Sequence, residues 1–338
     1  TDMEVLTQMA ELAAAACCPF VAAASPAIFG LQNWPDLPRV RDLTSQTDSA
    51  AHAAWSRFRD RDDARYVVLT GPRTLGRLPH TKETDTGAGA DFDELALDPD
   101  SLQAAAHSSS CWMNTAFVLG ARLCEAFVRH GLCVNLTADV DSEAWDFHSL
   151  DFEHWQDEAR IVGLLRYTVQ SSEGRSVTLG PLEVAMTGRR ESELHQCGVL
   201  TLCDNKLATA FHSMPTCHRP RRYDDLESSL TAAIAARLDD VLVVSRFAHY
   251  LKAIYKNLGK DTKTIAVRDH LQVWLVGYVN ACGTSDPKTL ARHPLCAAHL
   301  EVREDPERPG GTQAVLSMNS WLFHNPSDRM YRTIVRLA

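Results

Sequence analysis

The densest run of chemistry-bearing side chains lies between His195 and His218, where His195, Cys197, Cys203, His212, Cys217 and His218 fall within "ELHQCGVLTLCDN" and "FHSMPTCHRPRR". Imidazoles and thiolates are zinc ligands, and they are also the parts of a Cys–His nucleophile pair. Zinc sites usually show short paired spacing that sets two ligands on one turn, and no C-x-x-C pair occurs here. No local context of a nucleophilic cysteine surrounds these residues either. The expectation is ordinary packing with polar turns, no metal and no catalytic residue.

The remaining motifs are weaker. "HSLDFEHWQDE" brings His148, Asp151, Glu153 and His154 together, but it is not the H-E-x-x-H helix of a zinc protease, and it reads as a solvated acidic loop. "TGAGAD", Thr86 to Asp91, lacks the Lys-Ser/Thr and the preceding strand of a phosphate loop. "NLT" at Asn135 matches a glycosylation acceptor, which is irrelevant in a cytoplasmic protein. No cofactor site and no active site emerge.

Composition is consistent with this. The 338 residues carry a formal net charge of −9, are 45% apolar and 23% charged, and suit a globular chain of roughly two or three domains. The acidic balance argues against nucleic-acid binding, which needs a basic face. No apolar run approaches the roughly 20 residues that span a bilayer, so no membrane insertion is expected. The ten cysteines follow no framework: Cys17 and Cys18 are adjacent, the rest are scattered, and Cys124 and Cys133 sit in apolar context. Free thiols of this kind point to a reducing, cytoplasmic compartment. The chain opens at Thr1 inside a helical pattern, so preceding residues are expected.

The elements that position these residues alternate, which indicates an α/β class. Helices are expected at Met3–Cys17, Ser49–Phe58, Ser101–His130 with Gly131 as its stop, and Thr264–Cys282. Strands are expected at Ala64–Thr70, "LCVNL", "LEVAMT", "GVLTL", "CAAHLEVRE", "TQAVLSMNSWLF" and "MYRTIVRLA". The segment carrying Arg73 and Arg77 reads as a turn-rich loop. Between Leu226 and Leu258 two apolar stripes run about a third of a turn apart, so either two helices meet near Asp239 and Asp240 or one helix faces different partners along its length.

Two surfaces suggest interaction rather than catalysis. Opposite the second stripe lie Arg246, His249, Lys252 and Lys256, either a solvated face or a contact strip for an acidic partner. In the closing strand Tyr331, Thr333, Val335 and Leu337 alternate with Arg332 and Arg336. A strand with a free edge invites another chain.

Several stretches, in order along nearly the whole chain, resemble one family: "PFVAAASPAIFG", "WSRFRDRDDARYVVLTGPRTLGRLPH", "WMNTAFVLGARLCEAFVRHG", "SRFAHYLKAIYKNLG" and "LEVREDPERPGG". The family is the large subunit of the type VI secretion contractile sheath, the TssC/VipB-like (EvpB/ImpC) family. The resemblance implies a mixed-sheet phage-tail-sheath-like fold with long helices and a C-terminal strand that pairs between subunits. It implies a sheath region at 1–225 and a C-terminal sheath domain at 226–338. Implied partners are a small TssB/VipA-like sheath subunit, further copies of the chain, an Hcp-like inner tube, a baseplate and an AAA+ recycling ATPase. The sequence departs from the family in lacking its N-terminal arm, in having His80 where an aromatic is usual, and in Ser142–Pro181 and the region around Cys217. A baseplate or adaptor protein of the same fold, or an α/β enzyme using the cluster near Cys217, are the alternatives.

Overall fold

The computed structural model describes residues 2–44, 50–80, 94, 107–137, 160–170, 176–204, 209–258, 264–280, 289, 292–306, 308–320 and 331–337. His148, Asp151, Glu153, His154, Thr86–Asp91 and Leu322, singled out in the sequence, lie outside these residues.

Helix α1 (Asp2–Ala16) is built on alanine, the best helix former, and buries Ala10 and Ala13. It ends where Cys17 takes a left-handed φ of 51° and the Cys18 amide donates to Ala13 O at 2.9 Å. Strand β1 (Phe20–Ala23) follows at once and pairs in parallel with β2 (Val67–Thr70), Phe20 opposite Val67. Strand β7 (Val199–Leu200) extends the same sheet on the far side of β2. As the central strand of a parallel sheet, β2 is buried along its whole length, which its unbroken apolar run anticipates. After β1, Ala24 and Phe29 are buried while Ala23, Ser25, Ala27 and Gly30 are exposed; Ser25 accepts from Ala27 N and caps the short helix Pro26–Phe29, and Gly30 ends it at φ 68°.

Several expected elements differ. Residues 62–66 form a 3₁₀ turn rather than the start of β2. The expected loop holds strand β3 (Thr74–Arg77), paired with β4 (Cys111–Met113). The helix expected from Ser101 is therefore interrupted: α3 runs only from Ala116 to His130, because the Asn114 carboxamide accepts from Ala116 N at 2.9 Å and restarts the chain as a helix. Gly131 does stop it, at φ 73°. "LCVNL" forms no strand, and "LEVAMT" contributes one isolated bridge at Leu182. Helix α2 (Ala50–Arg59), the hairpin β5 (Tyr167–Gln170) and β6 (Ser176–Leu179), and helix α4 (Gly188–Gln196) complete this part with β8 (Cys203–Asp204) and β9 (Thr209–Ala210). One apolar core, including Trp34, Trp55, Phe58, Phe211 and Met214, lies among these elements.

Two helices, not one, span the double stripe: α5 (Leu226–Ile234) and α6 (Leu238–Leu258). The break falls just before Asp239 because Leu238 N donates to Met214 O at 2.7 Å and Pro215 bridges Arg237, drawing that backbone away from the helix. Helix α6 buries Val243, Phe247 and Leu251 against α7 (Thr264–Val276), which ends before the expected Cys282, and against a three-stranded antiparallel sheet of the C-terminal part. Phe247, Trp274 and Tyr278 meet edge to face at 5.2–5.9 Å.

Candidate functional site

Strand β11 (Thr312–Ser320) is central in the C-terminal sheet, with β10 (Leu295–Glu304) on one side and β12 (Tyr331–Arg336) on the other. In β12, Val335 and then Leu337 are buried and Thr333 is half-buried, while Arg332, Ile334 and Arg336 face outward. The alternation follows the pleat of a strand with one packed face. On one edge, from Tyr331 opposite Met318 to Arg336 opposite Gln313, β12 is laddered to β11 inside the chain. On its other edge it pairs with no strand among the described residues. Ile334 sits there 55% exposed, and Arg336 reaches Asp305 at 3.4 Å.

The basic residues of α6 do not form one uniform solvated strip. Arg246 is half-buried, its guanidinium 5.0 Å from the Phe127 ring centroid and 4.4 Å from that of Tyr250, and it donates to Tyr250 Oη at 2.7 Å. His249 Nε2 bonds the carbonyl of Ala16 at 2.8 Å, tying α6 to the end of α1. Lys252 is half-buried and Lys256 exposed. Two of the four residues thus hold the subunit together, and the two lysines present the charge.

Sequence reasoning missed a third surface. On α3, Phe117, Ala121, Cys124 and Val128 are exposed, with Phe117 at 70% and Val128 at 83%. They recur at helical spacing opposite the buried Val118, Leu119, Arg122 and Ala126. The signal was present in the sequence, but a continuous helix from Ser101 absorbed it. The first stripe of the double pattern is exposed only at its start, with Leu226 at 73% and Leu230 at 45%, while Leu238 and Val241 are buried.

The six His and Cys residues fall into two groups. Cys197, Cys217 and His218 surround Arg59 as structural groups: Trp55 Nε1 donates to Cys197 O, Arg59 Nε donates to Cys217 O at 3.1 Å, and His218 Nδ1 bonds Arg61 O. Burial raises the Cys197 thiol and pushes Cys217 up to about 12, so neither supplies the thiolate that nucleophilic chemistry requires. The other group gathers around a residue that spacing did not flag. Thr187 caps α4 and accepts from Arg190 N, and the helix carries Glu191 and His195 one turn apart. Strand β8 supplies Cys203 and the chain after β9 supplies His212.

Glu191 Oε2 lies 3.0 Å from His212 Nδ1, and the donor atoms of Glu191, Cys203 and His212 all lie within 4.8 Å of one another. The Cys203 thiol and then Glu191 hydrogen-bond His212 and raise it to about 10. Burial alone would raise Glu191, but His212 holds its carboxyl below the usual range. His195 is pushed down to about 4 by burial and bonds Ser213 Oγ through Nδ1 at 2.6 Å.

Compared with known proteins, residues 1–218 match the family described as EvpB/VC_A0108, tail sheath N-terminal domain. Residues 227–331 match EvpB/VC_A0108, tail sheath gpW/gp25-like domain. The type VI secretion system sheath protein TssC1 of Pseudomonas aeruginosa is 32% identical over 313 residues, a span covering 91% of this chain and 58% of that protein. The match thus covers less than two thirds of that relative's length.

Proposed function

Because the chain belongs to the VipB/EvpB tail-sheath family of type VI secretion, we propose that it is a structural subunit of a contractile sheath. In this reading it pairs with a small sheath subunit and with copies of itself in a helical lattice around an inner tube, on a baseplate. Contraction of the lattice drives the tube toward a target cell, and an AAA+ ATPase recycles the product. The work is done in the cytoplasm by rearranged interfaces, without catalysis. The region 1–225 and the domain 226–338 divide the labour, the second carrying the linking strand.

The observation that carries this reading is β12, a strand laddered on one edge and carrying outward Arg332, Ile334 and Arg336 beside the other. An unpaired row of amide and carbonyl groups is a template for a further strand. The exposed apolar stripe of α3 supports it, since large exposed apolar patches mark interfaces. Among the described residues no helix is long and apolar enough to cross a membrane. Co-expression with the small sheath subunit, followed by electron microscopy of the purified product, is the test. Cylinders with a regular helical repeat are expected; discrete particles at every concentration would overturn the assembly reading.

A further inference from the structure

We propose that Glu191, His195, Cys203 and His212 form a metal site of the zinc class that fastens α4 to the β8–β9 hairpin. The proposal does not rest on the sheath reading. Three of the four donors already converge, with their ligand atoms within 4.8 Å of one another. A tetrahedral ion with bonds of about 2.0–2.3 Å spaces its ligand atoms about 3.3–3.8 Å apart, so closing the cluster takes small side-chain rotations. His195 supplies the fourth: its Nε2 stands 4.0 Å from Glu191 Oε1.

Two orphaned atoms point to a missing cation. Glu191 Oε1 and His195 Nε2 are both buried and both without a hydrogen-bond partner, although buried polar atoms are nearly always paired. The Glu191 side chain is only 8% exposed. In the tautomer whose Nδ1 hydrogen is donated to Ser213 Oγ, His195 Nε2 is a bare lone pair 4.0 Å from a carboxylate oxygen. Two acceptors turned toward each other repel, and a cation between them removes the repulsion. A plain Glu191–His212 ion pair accounts for Glu191 Oε2 alone.

The donor set selects the ion. One thiolate, two imidazoles and one carboxylate suit tetrahedral Zn²⁺, whereas Mg²⁺ and Ca²⁺ take oxygen ligands. Binding displaces the protons of Cys203 and His212 into solvent and changes no oxidation state. Four protein ligands leave no open position, so the site is a structural staple and not a catalytic centre.

The test uses the full chain, stripped with a chelator and titrated with Co²⁺ and Zn²⁺. One Co²⁺ per chain is expected, with tetrahedral d–d bands, a thiolate-to-cobalt charge-transfer band and displacement of both by Zn²⁺. Cys203→Ser should abolish the charge-transfer band, and Cys197→Ser should leave it unchanged. His212→Ala should weaken binding more than about 100-fold, the upper end for losing an outer-shell partner. Circular dichroism checks that each variant keeps its fold, and the wild-type titration needs no variant. Absence of the charge-transfer band in the wild-type chain at excess Co²⁺, or its survival in Cys203→Ser, would overturn the proposal.

Discussion

Asp240 lies in the first turn of α6, buried, with Oδ2 lacking a hydrogen-bond partner. Burial, and then the neighbouring charge of Asp239, hold its carboxyl well above the ordinary range, against the pull of Arg237. The sign of the linkage follows. A group whose folded pKa lies above its unfolded value contributes stability that is complete below the unfolded value and is lost as pH rises through the folded one. Asp240→Asn keeps the shape and removes the charge, so it should raise stability near neutral pH by about 1–3 kcal/mol, the usual cost of an unsatisfied buried group. The gain should vanish below about pH 4, where the unfolded carboxyl is itself protonated. Thermal melts of both proteins across that range check this, and a gain independent of pH would contradict it. The same residue scale explains why the Glu191 cluster could not be read in advance. Cysteines and histidines can be counted along a chain, but an acidic residue on a helix becomes a ligand only when the fold turns it toward them.

At the scale of elements, β12 carries the clearest expectation. Ile334 is exposed, and because Leu337 N donates to Thr312 O the register turns the Ile334 amide to the edge away from β11, so Ile334→Pro removes a donor from that edge and leaves the ladder to β11 in place. The subunit should fold and bind its small partner, yet long sheaths should fail to form; full-length contractile sheaths from this variant would reduce β12 to an internal edge. The alternation of β12 was legible because one packed face imposes a period of two, and Val335 and Leu337 point inward as that period requires. Its partner was not legible, because the alternation shows which face is packed but not which edge is laddered, even though β11 is the strand immediately before it. Helix α1, α2 and the stop at Gly131 were readable from local propensity and capping. The β3–β4 pair was hidden in a stretch whose Gly and Pro residues looked like a loop. The start of α3 after Asn114 was equally hidden, because one carboxamide decides it.

For the whole molecule, the proposed lattice would have to be sustained by contacts that are individually weak. Arg246 and His249 are spent within the chain, on Phe127, Tyr250 and Ala16, which leaves Lys252 and Lys256 as the charge that α6 offers a neighbour. An exposed ion pair contributes about 0–1 kcal/mol and is screened by salt, so in one heterodimer its loss would be hard to detect. In a helical lattice every subunit repeats the contact, and small differences accumulate along the length. Lys252→Glu with Lys256→Glu should therefore leave the melting temperature of the isolated subunit within a few degrees of wild type. It should shorten or abolish sheaths at low ionic strength, where attraction to an acidic partner surface has become repulsion. The deficit should narrow as salt rises toward about 1 M, where the screening length falls to about 3 Å. Sheath length measured by electron microscopy across a salt series reads both effects. Normal sheaths at every ionic strength would make this face a solvated one, and leave assembly to the edge of β12 and the apolar stripe of α3.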